Sequence, residues 1–173
     1  MKAWRLYAVL LFGIMVLLSA TAWAADPPAP DPRAGMPTIE SLLKELELPY
    51  VVTKKGEYKV VYTDSSDNAS TIYVKYSSVG DLPEDQIIYL YTQVMEPPEK
   101  MPDPARFYLE MASYNDGLVV GRISVSDGYV FYSSSCWLRK VDAMVLDVEI
   151  IVAHNTVADA YEALQAVLDD VKK

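Results

Sequence analysis

From residue 38 onward, apolar positions recur first at helical spacing, then in alternation, then at helical spacing again. Ile39, Leu42, Leu43 and Leu46 stand at i, i+3, i+4 and i+7, which predicts a helix opened by Thr38 or Ser41 and ended by Pro49. Tyr50 to Thr53 and Glu57 to Thr63 alternate across Lys55-Gly56, which predicts a hairpin. After the polar loop Asp64 to Ser70, a third strand places Ile72, Val74 and Tyr76 on one face. Asp81 to Gln86 predicts a turn, and Ile87 to Met95 a fourth strand. Glu96 to Pro104 holds four prolines and reads as a crossing loop.

Ala105 to Tyr114 predicts a short helix with Phe107, Leu109 or Tyr108, and Met111 on its buried face, stopped by Asn115-Asp116-Gly117. Leu118 to Val125 and Tyr129 to Ser135 flank Ser126-Asp127-Gly128, a hairpin signal. From Val141 to Val171 the apolar spacing is helical, with a kink or restart at Asn155 or Thr156. Val145 to Val152 is β-branched enough to leave a strand as the alternative. The order α-β-β-β-β-α-β-β-α predicts an α+β fold, an antiparallel sheet with helices packed on one side.

Before this region lies an address. Residues 1–24 have a basic start at Lys2 and Arg5, an apolar stretch from Leu6 to Leu18, and a small-x-small end at Ala22-Trp23-Ala24. That is a secretory signal peptide, with cleavage expected after Ala24 and a retained anchor as the alternative. Residues 25–37 hold five prolines and read as a disordered linker, leaving 38–173 as a single domain. The expected address is bacterial periplasm or outside the cell.

The helix before GEYKVVYT, the strand STIYVKYS, the helix ending at SYNDG, and GRISVSDGYVFYSSS before a terminal helix together resemble the YbjN-like family of proposed sensory transduction regulators. The resemblance covers residues 38–173 and implies the fold of type III secretion chaperones. It also implies a chaperone-like, protein-binding role.

Charge narrows the function. Against 24 Asp and Glu stand 15 Lys and Arg, a net −9, and loss of Lys2 and Arg5 with the leader takes the chain to −11. That argues against a sequence-independent nucleic-acid binder and disfavours an anionic membrane surface. One Cys and one His forbid an intramolecular disulfide and leave no Cys/His metal cluster. No phosphate-loop pattern occurs, and no cofactor or metal is expected.

Candidate chemistry is thin. Cys136 and His154 are the sole thiol–imidazole pair; Cys136 ends a strand, His154 lies deep in or at the end of a helical stripe, and the two read as a buried thiol and a helix-terminal ring. Cys136, if exposed, has an intermolecular disulfide as its alternative. Ser133, Ser134 and Ser135 lack a nucleophile elbow and read as solvent-facing strand positions. The acids Asp81, Glu84, Asp85, Asp142, Asp147, Glu149, Asp169 and Asp170 read as a solvated face. Asp64 to Asn68 offers oxygens for Ca²⁺ but lacks the EF-hand pattern, and reads as a turn. Tyrosine is the compositional oddity, at 13 residues. Tyr73, Tyr89 and Tyr91 on one sheet face form the candidate partner-binding surface, with sheet filling as the alternative. The expected function is an exported, non-enzymatic protein-binding module, its partner another protein or a second copy. The alternatives are a sensor of a small apolar molecule and a hydrolase using acidic or Ser/His residues.

Overall fold

Thr38 caps the first helix, α1 (Ile39–Glu45), through a capping box: its hydroxyl accepts from the Ser41 amide, and the Ser41 hydroxyl answers at the Thr38 amide. The computed structural model describes residues 35–80 and 86–170. The signal segment, most of the linker and the turn at 81–85 lie outside the described residues. Helix α1 ends before Pro49 is reached, because Glu47 turns the chain with a φ of 55°.

Six strands follow the expected order: β1 (Tyr50–Val52), β2 (Tyr58–Thr63), β3 (Ala69–Ser78), β4 (Gln86–Met95), β5 (Arg122–Ser126) and β6 (Tyr129–Trp137). They form one antiparallel sheet in the order β1-β2-β3-β4-β6-β5. The β1–β2 turn uses Gly56 at a φ of 77°. The β5–β6 hairpin turns on two residues of positive φ, Asp127 and Gly128, the mirror-image turn whose twist matches that of a tight hairpin.

Helix α2 (Pro104–Gly117) separates β4 from β5, capped by the Asp103 carboxylate on the Arg106 amide. Helix α3 (Ala143–Asp170) follows β6 and a short 3-10 turn. Asp142 caps it through the Val145 amide. All 28 residues of α3 are continuous helix, so neither the kink at Asn155 nor the strand at Val145 to Val152 forms. The apolar period of 3.6 outweighs the β-branched content once Leu146, Ile150, Ala153, Ala160 and Leu164 are buried along one stripe.

The three helices cover one face of the sheet. That face supplies Val60, Ile72, Val74, Ile88, Leu90, Val130 and Tyr132 to the core, beside Ile39, Leu43 and Phe107 from α1 and α2. Two sequence expectations fail nearby. Leu109 is exposed, leaving Phe107 as the buried anchor of α2 with Met111 packed partly against the core. Strand β5 starts at Arg122 and not at Leu118, because Gly121, at a φ of 74°, lies against the Tyr132 ring and turns the chain there. Val119, read as part of that strand, is 97% exposed.

Asn115 does more than end a helix. Its amide accepts from the Ile123 N–H at 2.6 Å and donates to the Ile123 carbonyl at 2.9 Å. It thereby pairs with β5, an edge strand, as another strand would.

Candidate functional site

The face of the sheet opposite the helices carries the site. Strand parity places Tyr73 and Lys75 of β3, Tyr89 and Tyr91 of β4, and Tyr129 and Phe131 of β6 on that face, while Ile72, Leu90 and Tyr132 point into the core. Tyr73 pairs with Tyr91 and Lys75 with Tyr89 across β3 and β4. The expected grouping of Tyr73, Tyr89 and Tyr91 is therefore a cluster in space. Tyr58, Tyr62 and Tyr76, on β2 and β3, pack instead against the core.

The rings touch one another. Tyr73 stacks on Tyr91 with centroids 5.1 Å apart and planes 13° from parallel. Tyr89 is tilted against Tyr91 at 5.9 Å, and Phe131 meets Tyr91 edge-on at 6.2 Å. Tyr129 extends the row beyond Phe131 at 6.2 Å. Offset and edge-to-face contacts of this kind favour the quadrupoles of the rings and hold each in place.

Charge fixes the cluster further. Glu57, at the start of the second hairpin arm, accepts the Tyr91 hydroxyl at 2.9 Å. Its side chain is 13% exposed and stands 3.6 Å from the Lys75 ammonium. Lys75 lies 5.3 Å from the Tyr91 ring centre and 5.5 Å from that of Tyr89. Burial, followed by the bond to Glu57, pushes the Tyr91 phenol well above its ordinary range, so it remains a donor at any physiological pH.

Beside the rings runs an open groove of about 300 Å³. It is lined by the rings of Tyr89, Tyr91 and Phe131, by Ser124, Ser126 and Asp127, and by Lys75. Aromatic rings and polar groups line it together, a combination that orients an amphipathic ligand. Among the described residues no cation pairs with Asp127, whose carboxylate receives the Ser126 hydroxyl at 3.4 Å. The sequence reading missed Phe131, Lys75, Glu57 and Asp127. Phe131 alternates correctly along its own strand, but its place beside Tyr91 depends on β4 and β6 pairing across an intervening helix and strand.

The remaining candidates fall elsewhere. Ser133 and Ser134 are buried, contrary to their reading as solvent-facing positions, and Ser134 donates to Glu149 at 2.6 Å. Cys136 is half-buried, and its thiol is pushed up to about 11 by burial and by the charge of Glu149. A thiol so held is a poor nucleophile at neutral pH. His154 is not at a helix end but deep in α3, its ring nitrogens directed at Ser70 and Asp64 and not at Cys136. Asp170 pairs with Arg106 at 3.0 Å. Asp64 accepts from the Ser66 and Asn68 amides, which makes the loop a turn. Among the described residues no group of three His, Cys, Asp or Glu could hold a metal, and no helix is long and apolar enough to cross a membrane.

The molecule is thus an α+β protein of one six-stranded antiparallel sheet with its helices on one side. No family model and no curated protein matches the sequence. Among solved structures it is similar to the crystal structure of YbjN from E. coli, described as a candidate transcription regulator. The match has a TM-score of 0.47 and 7% identity, covering 75% of this chain and 92% of that one. It assigns no residue a role here.

Proposed function

We propose that the chain is an exported binding module that docks an extended, basic segment of another protein across the open sheet face. The observation that carries this reading is the row of mutually packed rings, Tyr73, Tyr91, Tyr89 and Phe131, on a face that no described helix covers. Rings already braced against one another lose little side-chain entropy when a partner settles on them. The chemistry of the partner follows from charge. The chain carries a net −9; in the groove Lys75 is already paired with Glu57, whereas Asp127 has no cation partner among the described residues. A segment with an apolar or aromatic anchor flanked by Lys or Arg complements both the rings and Asp127. A second copy would carry the same net negative charge, so association of two copies is opposed by their overall repulsion. Export rests on the leader at residues 1–24 and its Ala22-Trp23-Ala24 end.

Fluorescence anisotropy with labelled fifteen-residue peptides tests the reading. One set is basic and aromatic, one basic and polar, one acidic and aromatic. The basic aromatic set should bind, weaken with salt, and lose at least about tenfold in affinity in a Tyr89→Ala/Phe131→Ala variant, or about 1.4 kcal/mol. Equal binding of all three sets, or no loss in the variant, would reject this surface. Binding of the protein to itself in place of the peptides would transfer the face to a homodimer.

A further inference from the structure

A second site lies where the sheet opens. Pairing of β3 with β4 ends at Tyr73 and Tyr91, although β3 continues along β2 back to Ala69 and β4 continues along β6 to Met95. The two strands diverge around a slot of about 290 Å³ that joins Tyr73 and Gln93 to Ser70 and Val157, the last of these on α3. At this slot Ser70 Oγ stands 2.8 Å from His154 Nδ1, and His154 Nε2 stands 3.4 Å from Asp64 Oδ2.

The proton positions follow from Asp64. Bonds from the Asn68 side chain and amide, and from the Ser66 amide, hold its carboxyl at about 2, so it is ionised at neutral pH and can only accept. In the tautomer that donates from Nε2 to this carboxylate, Nδ1 is an acceptor. Ser70 then donates its hydroxyl hydrogen to Nδ1. The ring is buried and packed against Tyr62 at 5.1 Å. This is the arrangement of a serine activated by a base that a carboxylate orients.

A donor for developing charge stands next to it. The Thr71 carbonyl accepts the Thr92 hydroxyl at 2.8 Å, which directs it toward β4. In an antiparallel strand the N–H and C=O of one residue face the same neighbour, so the Thr71 N–H also faces the gap. It is the amide that follows Ser70 and lies beyond the end of the β3–β4 pairing.

We propose that Ser70 is a nucleophile activated by His154, with Asp64 as its positioning residue, and that the slot accepts the acyl part of a small carboxylic ester. Ser70 Oγ bonds to the carbonyl carbon as its proton passes to His154 Nδ1, and the Thr71 N–H faces the resulting oxyanion. The C–O bond to the alcohol breaks, and that alcohol leaves with the proton from His154. Water then adds to the acyl-Ser70 ester, giving its proton to His154. Collapse releases the carboxylic acid and returns the proton to Ser70. This site is independent of the protein-docking reading, and it reverses the sequence expectation that no residue is catalytic.

The test is a fluorophosphonate ester applied to the purified chain, with the modified residue mapped by mass spectrometry. Ser70 should be modified, and His154→Gln should slow the reaction by on the order of 10²-fold. Should that buried substitution unfold the chain, Asp64→Asn in the exposed loop gives the same comparison, and Asp64→Glu should recover part of the rate by retaining the carboxylate. An unmodified Ser70 in the folded protein would overturn the proposal. So would equal rates in the parent and the Asp64→Asn variant, or a variant series in which Asp64→Glu is no faster than Asp64→Asn.

Discussion

Replacing Asn115 by alanine removes two hydrogen bonds that no other side chain supplies to Ile123. Each such bond contributes about 1 kcal/mol net, and a buried amide or carbonyl left without a partner costs about 1–3 kcal/mol. Ile123 is 3% exposed, so water reaches its backbone poorly. The helix recovers about 0.6 kcal/mol because alanine is the better helix former. The balance is a loss of about 2 kcal/mol, measured as a lower urea midpoint with an unchanged m value. Asn115→Asp separates donor from acceptor. It keeps the bond from the Ile123 N–H but sets a carboxylate oxygen against the Ile123 carbonyl, so it should cost as much as alanine at pH 7. Part of that loss should return at acid pH, where the protonated carboxyl again donates. A midpoint shift below about 0.5 kcal/mol in Asn115→Ala, or no acid recovery in Asn115→Asp relative to the parent chain, would refute the edge-pairing argument.

Two further outcomes follow from the geometry. Gly121→Ala should destabilise the domain by about 2 kcal/mol or more, because a Cβ there collides with the Tyr132 ring at a φ of 74°; a thermal melt within a degree of the parent would contradict it. Asp64, held at about 2 in the fold against an ordinary 3.8, binds protons more readily when the chain is unfolded. Its contribution is therefore complete above about pH 4 and disappears as the pH falls toward 2. Urea midpoints should decline over that window less steeply in Asp64→Ala than in the parent, and parallel declines would count against the assignment.

What the sequence made legible was local. Alternation in Tyr58 to Thr63 and Ala69 to Ser78 reports which side chains meet the core, since a strand face repeats every two residues. The same parity brought Tyr73, Tyr89 and Tyr91 to one face before any pairing was known. The misreadings arose where a residue's partner is distant. Asn115 looks like a helix stop until Ile123 is seen to need it, and Leu118 to Val120 look like strand until Gly121 turns against Tyr132. Ser70 and Asp64 lie 84 and 90 residues from His154, in a strand and a turn with no motif of their own. Nothing periodic links such positions, so the Ser70–His154 contact has no signature along the chain.

The sheet order also imposes a sequence on folding. Strands β1 to β4 are consecutive neighbours and can pair as soon as each follows the last. The second neighbour of β4 is β6, which begins at Tyr129, beyond the proline-rich loop, α2 and β5. Until that segment is available, the run IIYLYTQVM, which contains no charged residue, presents an unsatisfied backbone edge in the middle of the future sheet. Pairing of β4 with β6 closes a longer loop than any pairing among β1 to β4 and so carries a larger entropic cost, and until it is made this uncharged stretch remains open to other chains. A factor that shields β4 until β6 arrives would protect this edge.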